Sequence, residues 1–298
     1  MTTVINAPQS IDDKSFEQIF EQLAQIPPDE RIIVDTRHSR WANPYGLTAL
    51  LAVAESRVER PVLYVPEQEN VSSYWSRMNF FKHAAELYDV QGRIYPPRGV
   101  TDTNVLLEVT RISQADDIHT VLDKIGQRAQ DALVQELKLD PRVTGRFSMA
   151  LSEVCQNIVE HAGRGGWVAV QRYTWHRRLG GRRVVVIAVC DSGVGFRRSL
   201  ESSPAFQPED RWDDRMALEE TLIRGQSRFP DRHRGQGLQG VRNFVSGWDG
   251  KLSIRSGTAR IMIPPKGDWD PDDEQTMIQA LPDFPGAQVQ ITIPERIA

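Results

Sequence analysis

Residues 150–163, ALSEVCQNIVEHAG, constrain the fold more than any other segment, because they combine the apolar content of a buried helix with a row of polar side chains. At helical spacing, Glu153 and Asn157 lie one turn apart on the same side, and Glu160 or His161 continues that side. The rest of the helix surface is mostly apolar. The pattern therefore predicts a helix that packs on a core and keeps one polar stripe away from it.

Length and composition bound the class of protein. The chain has 298 residues, of which 40% are hydrophobic and 26% charged, so it can bury a sizeable core in one large or two modest domains. Its formal net charge of −4 provides no basic field, and we expect no nucleic-acid partner. The two cysteines, Cys155 and Cys190, stand in apolar runs and are expected to be buried, reduced thiols.

The sequence shows no pattern of a membrane protein. No apolar run approaches the roughly 20 residues that a transmembrane helix needs. The first residues, MTTVINAPQS, lack the basic and then apolar pattern of a signal segment. We therefore expect a cytoplasmic protein with no membrane partner.

Helical and strand patterns alternate through the first third of the chain and indicate a small α/β unit. The Pro-Pro pair in GRIYPPRGVTD marks the best linker, so we predict a boundary near Pro97, with domains at 1–96 and 97–298. The helices predicted before this boundary are residues 16–26, 46–59 and 71–88, and the strands are residues 31–36 and 61–66.

The remaining two-thirds of the chain has a different order, in which strands joined by hairpins alternate with long helices. A strand at 104–112 opens it, and a long helix is predicted at 116–139. Strands at 166–175 and 182–190 are joined by a turn with two glycines, and three more strands lie near the end of the chain. This order predicts an α+β sandwich, in which a mixed sheet carries helices on one face.

Two glycine-containing segments have the residue types of a ligand site. In VCDSGVGF, Asp191 ends a strand and can accept a hydrogen bond from an exocyclic amine, while Gly193 and Gly195 let the backbone approach a ligand. In RGQGLQG, Gly235 and Gly237 precede a helix, whose first N–H groups favour phosphate. Taken alone, each segment is also typical of an ordinary turn or helix start.

Taken together, the polar helix and these two segments occur in the order and approximate spacing of a known family. They resemble the N, G1 and G2 boxes of the gyrase, chaperone and histidine-kinase ATPase superfamily, the GHKL or Bergerat fold. The resemblance covers residues 104–294 and implies that this domain binds ATP with Mg²⁺. It also implies that Asn157 coordinates the Mg²⁺ and that Glu153 is the general base, so the polar stripe faces a nucleotide.

The same resemblance assigns roles to the remaining site residues. Asp191 would accept from the adenine amino group, and the two glycines that follow it would let the chain pass close to the base. For His161 a ligand role is one interpretation, and a packed imidazole at a helix end is the simpler one. The glycines near the base are Gly193 and Gly195. The lid hinge and the phosphate-facing helix start would be formed by Gly235, Gly237 and Leu238.

One position departs from the family pattern. The last strand of this fold commonly begins Gly-Thr, with the hydroxyl near the nucleotide, whereas this chain has Ala287 there and Thr258 one strand too early. The loss of one hydrogen bond would weaken nucleotide contacts by about 0.5–1.5 kcal/mol. A histidine kinase is disfavoured, because a strand and not a phosphoacceptor helix pair opens the domain.

The N-terminal third contains RIIVDTRHSRWANPYGLTALLAVAE, a strand and a loop followed by a helix start with Gly46 and Leu47. This arrangement resembles the STAS fold of anti-sigma-factor antagonists over residues 10–90. In that family the residue before the glycine is a serine that becomes phosphorylated, and here it is Tyr45. The resemblance implies a degenerate STAS-like regulatory domain without an acceptor serine; an unrelated small α/β domain is the alternative.

Both resemblances together predict a Mg-ATP-binding signalling regulator of the anti-sigma-factor serine kinase type. The leading function is transfer of phosphate from ATP to a serine or threonine of a protein partner, either a STAS-type antagonist or another regulator. An ATP-gated switch that binds a partner without catalysis, and a slow ATPase that drives a conformational change, are the alternatives. A homodimer is one assembly that the sequence leaves open.

Overall fold

The computed structural model describes residues 2–98, 104–131, 141–158, 162–203, 206–207, 212–224, 237–267, 269 and 277–296. Within these residues the chain forms sheets of four and seven strands, together with a pair of short strands. The four-stranded sheet lies in residues 2–98, here called the N-terminal unit, and the seven-stranded sheet is built from the residues that follow.

Short strands and helices alternate in the N-terminal unit: β1 (Thr3–Asn6), β2 (Ser10–Ile11), α1 (Glu17–Leu23), β3 (Ile32–Asp35), β4 (Trp41–Ala42), α2 (Pro44–Ser56), β5 (Val62–Tyr64), α3 (Glu69–Arg77), α4 (Phe80–Leu87) and β6 (Asp89–Gln91). The four strands of its main sheet follow the order β1-β3-β5-β6, and each pairing is parallel. The first two predicted helices and both predicted strands are confirmed, with small changes at their ends.

The prediction of a single helix at 71–88 is wrong, because the chain breaks at Asn79 into α3 and α4. Asn79 has a φ of 58°, in the left-handed region that asparagine tolerates better than most residues. The break lets the aromatic side chains of the two helices meet, with the rings of Trp75 and Phe80 centred 4.9 Å apart. Apolar periodicity does not reveal this break, since both halves keep helical spacing.

The second sheet and its helices make up the rest of the described chain: β7 (Val105–Ile112), α5 (Ala115–Asp131), α6 (Pro141–Asn157), β8 (Gly166–Trp175), α7 (His176–Leu179), β9 (Arg182–Asp191), α8 (Gly195–Glu201), α9 (Asp214–Leu222), α10 (Gly237–Gly247), β10 (Lys251–Gly257), β11 (Ala259–Ile263), β12 (Met277–Ile278) and β13 (Phe284–Pro294). The strand order is β12-β11-β10-β13-β9-β8-β7. The strands predicted here are confirmed, as is the long helix up to Asp131; residues 132–139 of that prediction lie outside the described residues.

Helices cover one face of the seven-stranded sheet and confirm the predicted α+β sandwich. Side chains of α5, α6, α9 and α10 share one apolar core with the sheet, and both cysteines are buried and free, as predicted. Every described pairing in this sheet is antiparallel, rather than the mixed arrangement that the sequence predicts. In the described part of the chain, no helix has the length and apolar content of a membrane span.

The N-terminal unit covers the other face of this sheet. Helix α2 lies against β8, β9 and β13, and its residues from Pro44 to Ala54 are all buried. Side chains alternate along β9, so that Val189 joins the core under the helices and Cys190 joins the core of the N-terminal unit. Burial on both faces explains why the β9 sequence VVVIAVC is apolar without alternation. The sequence predicts helices on one face and misses this second layer.

Buried polar contacts also join the N-terminal unit to the sheet. Asn43 Nδ2 donates to Gln290 Oε1 at 2.7 Å, and Arg255 Nε donates to Glu17 Oε1 at 2.9 Å. Arg255 is only 1% exposed, so removing its partner would leave an uncompensated buried charge. These contacts hold the N-terminal unit in one orientation on the sheet. The domain boundary near Pro97 stays a prediction.

We predict that Asn43→Ala lowers the free energy of unfolding by about 2–4 kcal/mol. The change removes the N-cap of α2, where Asn43 Oδ1 accepts from Gly46 N–H at 2.9 Å, and it also leaves the buried Gln290 oxygen without its donor. Asp213→Ala is the matched control, since it removes a cap alone, the 2.8 Å bond from Met216 N–H, and should cost about 1 kcal/mol. Denaturant unfolding followed by circular dichroism measures both. Equal losses would show that the contact with the sheet adds no stability.

Candidate functional site

A pocket opens at one end of the seven-stranded sheet, between the ends of α6 and β9, the starts of α8 and α10, and β13. Four residues predicted from the sequence, Asn157, Asp191, Gly195 and Leu238, meet in its wall although they are far apart in the chain. The other described lining residues are Val154, Ile158, Ala162, Val189, Phe196, Ala287 and Val289. The pocket is therefore an apolar cavity with a small number of polar groups.

Asp191 is the one charged residue among the described lining residues, and it is 5% exposed. Its Oδ1 accepts from Gly193 N–H at 2.8 Å, and Ala287 N–H also donates to the carboxylate. Burial nevertheless raises the pKa of Asp191 to about 7, because the loss of water outweighs these hydrogen bonds. The fold thus holds an acceptor in an apolar pocket at a cost in stability.

The polar stripe of α6 is divided between two cavities. Asn157 is half-buried in the pocket wall, whereas Glu153 lines a neighbouring groove between α6 and α10. Gly237 rests on the Glu153 carboxylate so closely that a Cβ would overlap it, and Leu238 turns into the pocket. The start of α10 therefore separates Glu153 from the pocket that contains Asn157. His161, further along the predicted stripe, lies outside the described residues.

The two glycines after Asp191 have different positions. Gly195 lines the pocket with a φ of 73°, a backbone conformation that favours glycine. Gly193 lies against Ala162, where a Cβ would overlap the Ala162 backbone, so it serves close packing and positions the Asp191 carboxylate through its N–H. Gly235, predicted at the lid hinge, lies outside the described residues.

The apolar wall of the pocket is the part that sequence reasoning missed. A signal exists for Val189, which stands two residues before Asp191 and so lies on the same face of β9. No such signal exists for Val289, because only the pairing of β13 with β9 places it opposite Val189. An apolar pocket with one carboxylate in its wall suits a largely apolar ring that carries an amine.

At the start of the last strand, where the family commonly has a threonine, the structure has Ala287. Ala287 lines the pocket and offers no hydroxyl. Thr258 does not replace it, because its hydroxyl donates to Asp214 Oδ2 at 2.8 Å and it is not among the described lining residues.

A metal ion in this pocket would need most of its coordinating oxygens from water and from a bound phosphate ligand, because the protein supplies few. Within the described ranges, no group of three or more His, Cys, Asp and Glu side chains could hold a metal. The Asn157 side chain can supply one oxygen, and Mg²⁺ often takes most of its remaining oxygens from water and phosphate. The residues present therefore fit a Mg²⁺ ion that arrives with a phosphate ligand.

We predict that Asp191→Asn stabilises the protein at alkaline pH. The pKa of about 7 in the folded chain lies above the ordinary value of 3.8, so the stability that this proton provides is complete below pH 3.8 and is lost as the pH rises through 7. Asparagine stays neutral, so the variant should gain about 2–4 kcal/mol at pH 8 and less than about 1 kcal/mol at pH 4.

Denaturant unfolding at both pH values measures this gain. The control is Asp89→Asn, which removes an exposed carboxylate paired with Arg31 and should change stability by less than about 1 kcal/mol at either pH. A gain for Asp191→Asn that is the same at pH 4 and pH 8 would contradict the raised pKa.

Comparison with known proteins gives a match to most of the residues that line this pocket, although not to Ala287 and Val289 of β13. Residues 119–245 match a family model described as histidine kinase-like ATPase domain, and the match includes Asn157, Asp191 and Leu238. A search of curated proteins and a search of solved structures found no match. The family match begins after the N-terminal unit and assigns nothing to it. Residues 119–245 are thus similar to histidine kinase-like ATPase domains, and this similarity supports ATP binding.

Proposed function

We propose that the chain is a cytoplasmic signalling regulator that binds ATP with Mg²⁺ in the pocket around Asp191. The observation that carries this proposal is the buried Asp191 carboxylate, whose described hydrogen-bond donors are backbone N–H groups. No cation among the described residues neutralises it, so an ion pair does not explain its burial. The amino group of adenine supplies the missing donor, and the apolar walls fit the flat base.

The phosphates would lie between Asn157 and the start of α10. Asn157 would hold the Mg²⁺ together with phosphate oxygens, and the first N–H groups of α10, which begins at Gly237, would face the phosphates. When bound, Mg²⁺ neutralises phosphate charge. The ribose would then lie between Asp191 and the start of α10, both of which line the pocket.

Phosphoryl transfer to a serine or threonine of a protein partner is the leading activity. In this step the hydroxyl oxygen bonds to the γ-phosphorus, the bond from that phosphorus to the ADP oxygen breaks, and Glu153 takes the hydroxyl proton. Glu153 is exposed on α6, one turn before Asn157. It reaches the phosphates if the start of α10 moves away from its carboxylate.

The acceptor hydroxyl lies in another protein. We interpret the N-terminal unit as a degenerate STAS-like domain in which Tyr45 replaces the acceptor serine at the start of α2. Tyr45, Ser39 and Thr48 are 2%, 0% and 0% exposed, and the Thr48 hydroxyl donates to Cys190 Sγ at 3.2 Å. No kinase site can reach these three hydroxyls while the chain is folded. A separate STAS-type antagonist, as in anti-sigma-factor systems, is the partner that we propose.

An ATP-gated switch is the second candidate, and one contact favours it. Gly237 covers the Glu153 carboxylate, which therefore does not face the pocket of Asn157. Phosphates bound at the start of α10 would compete with Glu153 for this segment. ATP could then move α10 and change the surface offered to a partner without any chemistry, provided that ATP binds the moved state more tightly.

We predict that Asp191→Asn lowers ATP affinity by about 10- to 150-fold at pH 8, because a charged acceptor is replaced by a neutral amide. The pKa of about 7 makes this loss pH-dependent, since only the ionised carboxylate is the strong acceptor. The ratio of the ATP affinity of the wild type to that of Asp191→Asn should therefore be roughly tenfold smaller at pH 6 than at pH 8. Calorimetric titration with Mg-ATP measures both proteins, with Asp89→Asn as the control. Unchanged ATP affinity would remove Asp191 from the site.

We predict that Glu153→Gln separates the two candidate functions. A general base contributes about 10²–10⁴-fold to rate and little to binding, so the variant should keep ATP affinity within a few-fold. A kinase should lose phosphate transfer to its partner by at least about 100-fold, measured with radiolabelled ATP. Glu86→Gln, on the exposed surface of α4, should change nothing. Substantial and equal turnover in wild type and Glu153→Gln would reject Glu153 as the base.

A further inference from the structure

Strand β13 bulges where it passes the Asp191 carboxylate. Ala287 pairs with Ser256 of β10, but between Ala287 and Phe284 two residues of β13 have no opposite residue in β10. One of them, Gly286, has a φ of 83° and lies so close to Asp191 that a Cβ would overlap its carbonyl and carboxylate oxygens. Bulges redirect the backbone and are common beside active sites. This bulge therefore forms part of the surroundings of the carboxylate.

Gln288 joins the bulge to the end of β9. It is 0% exposed, and it stands opposite Cys190 on the face of the sheet that the N-terminal unit covers. Its Nε2 donates to the Asp191 carbonyl at 3.0 Å and to the Pro285 carbonyl at 3.2 Å. One side chain thus fixes the backbone of Asp191 relative to the bulge, from the face of the sheet opposite the pocket.

Packing alone does not account for an amide at this position. The Gln288 Oε1 atom is buried and has no hydrogen-bond partner among the described residues. A buried acceptor without a donor lowers stability, and the unbranched side chain of methionine would fill a similar volume without that loss. The feature that requires glutamine is the pair of bonds from its Nε2, one of which holds Asp191.

Ser256 joins the bulge to the start of α8 from the other face of the sheet. It lies two residues after Ile254, which packs in the core under the helices. Ser256 is 3% exposed, and its Oγ donates to the Gly286 carbonyl at 2.8 Å and accepts from Phe196 N–H at 3.1 Å. Because Phe196 lines the pocket, Ser256 connects the bulge to the pocket wall.

We propose that Gln288 and Ser256 are positioning residues, which hold the bulge and the end of β9 so that Asp191 presents its carboxylate to an amino group of the ligand. Both residues lie beyond residues 119–245, which match the family model. The inference rests on the proposed function, in which that amino group belongs to adenine. A positioning role affects the discrimination between ligands with and without the amino group, whereas a purely structural role affects stability.

Calorimetric titration of the full chain at pH 8 tests this role with Mg-ATP and with Mg-purine riboside triphosphate, which has hydrogen in place of the amino group. The ratio of the two dissociation constants measures the contact with Asp191, and we expect about 10- to 150-fold in favour of ATP for the wild type. Gln288→Met should reduce this ratio at least about fivefold, by weakening ATP binding and sparing the other nucleotide. Ser256→Ala should reduce the ratio by a similar factor.

Gln290→Met is the matched control, because it is the same substitution two residues further along the same face of β13. Gln290 is 6% exposed, and its Oε1 accepts from Asn43 Nδ2 at 2.7 Å, which joins the sheet to the N-terminal unit. The control variant should unfold at a lower denaturant concentration than the wild type and keep the full preference for ATP. Gln288→Met should show the opposite combination, with stability preserved and preference reduced.

The outcomes separate this inference from the function on which it rests. A wild type that binds neither nucleotide, or binds both equally, would reject the proposed function and the inference together. A wild type that prefers ATP, with the same preference in Gln288→Met and Ser256→Ala, would overturn the inference alone. An equal loss of preference in Gln290→Met would also overturn it, since the effect would then be general to β13. If Gln288→Met does not fold, an unchanged ratio in Ser256→Ala decides against it.

Discussion

Burial of the seven-stranded sheet on both faces is the constraint on which the rest of this structure depends. Trp167, Ala188 and Cys190 point away from the helices on the other face of the sheet and would meet water if the N-terminal unit were absent. Burying one large apolar side chain contributes about 1.5–3 kcal/mol, so exposure of this face would remove much of the stability of an ordinary domain. The N-terminal unit is therefore a structural layer on the seven-stranded sheet and not an appended module.

The pocket around Asp191 benefits from this support. Asp191 directly follows Cys190 at the end of β9, and Gln288 Nε2 donates to the Asp191 carbonyl at 3.0 Å from the side of the N-terminal unit. Burial raises the pKa of the Asp191 carboxylate to about 7, so its charged form is less stable in the pocket than in water. Because the backbone around it is held from both sides of the sheet, the fold can keep this group in an apolar pocket.

Strand β13 lies between the pocket around Asp191 and the N-terminal unit. Ala287 and Val289 face the pocket around Asp191, whereas Gln288 and Gln290 face the N-terminal unit. Since side chains alternate along a strand, one element has contact with both surfaces without a long chain of intermediates. A shift of the N-terminal unit would therefore act on the strand that borders the pocket around Asp191.

The sequence by itself determined the element types and the sandwich class of the larger region, because hydrophobic periodicity is a local property of the chain. It also predicted that Asn157, Asp191 and Leu238 meet, because glycine placement and the family pattern can be read along the chain. Three features were decided only by the tertiary structure. The break at Asn79 depends on how aromatic residues pack, and the apolar wall depends on the pairing of β13 with β9. The separation of Glu153 from Asn157 depends on where α10 begins to pack, which spacing along α6 does not contain.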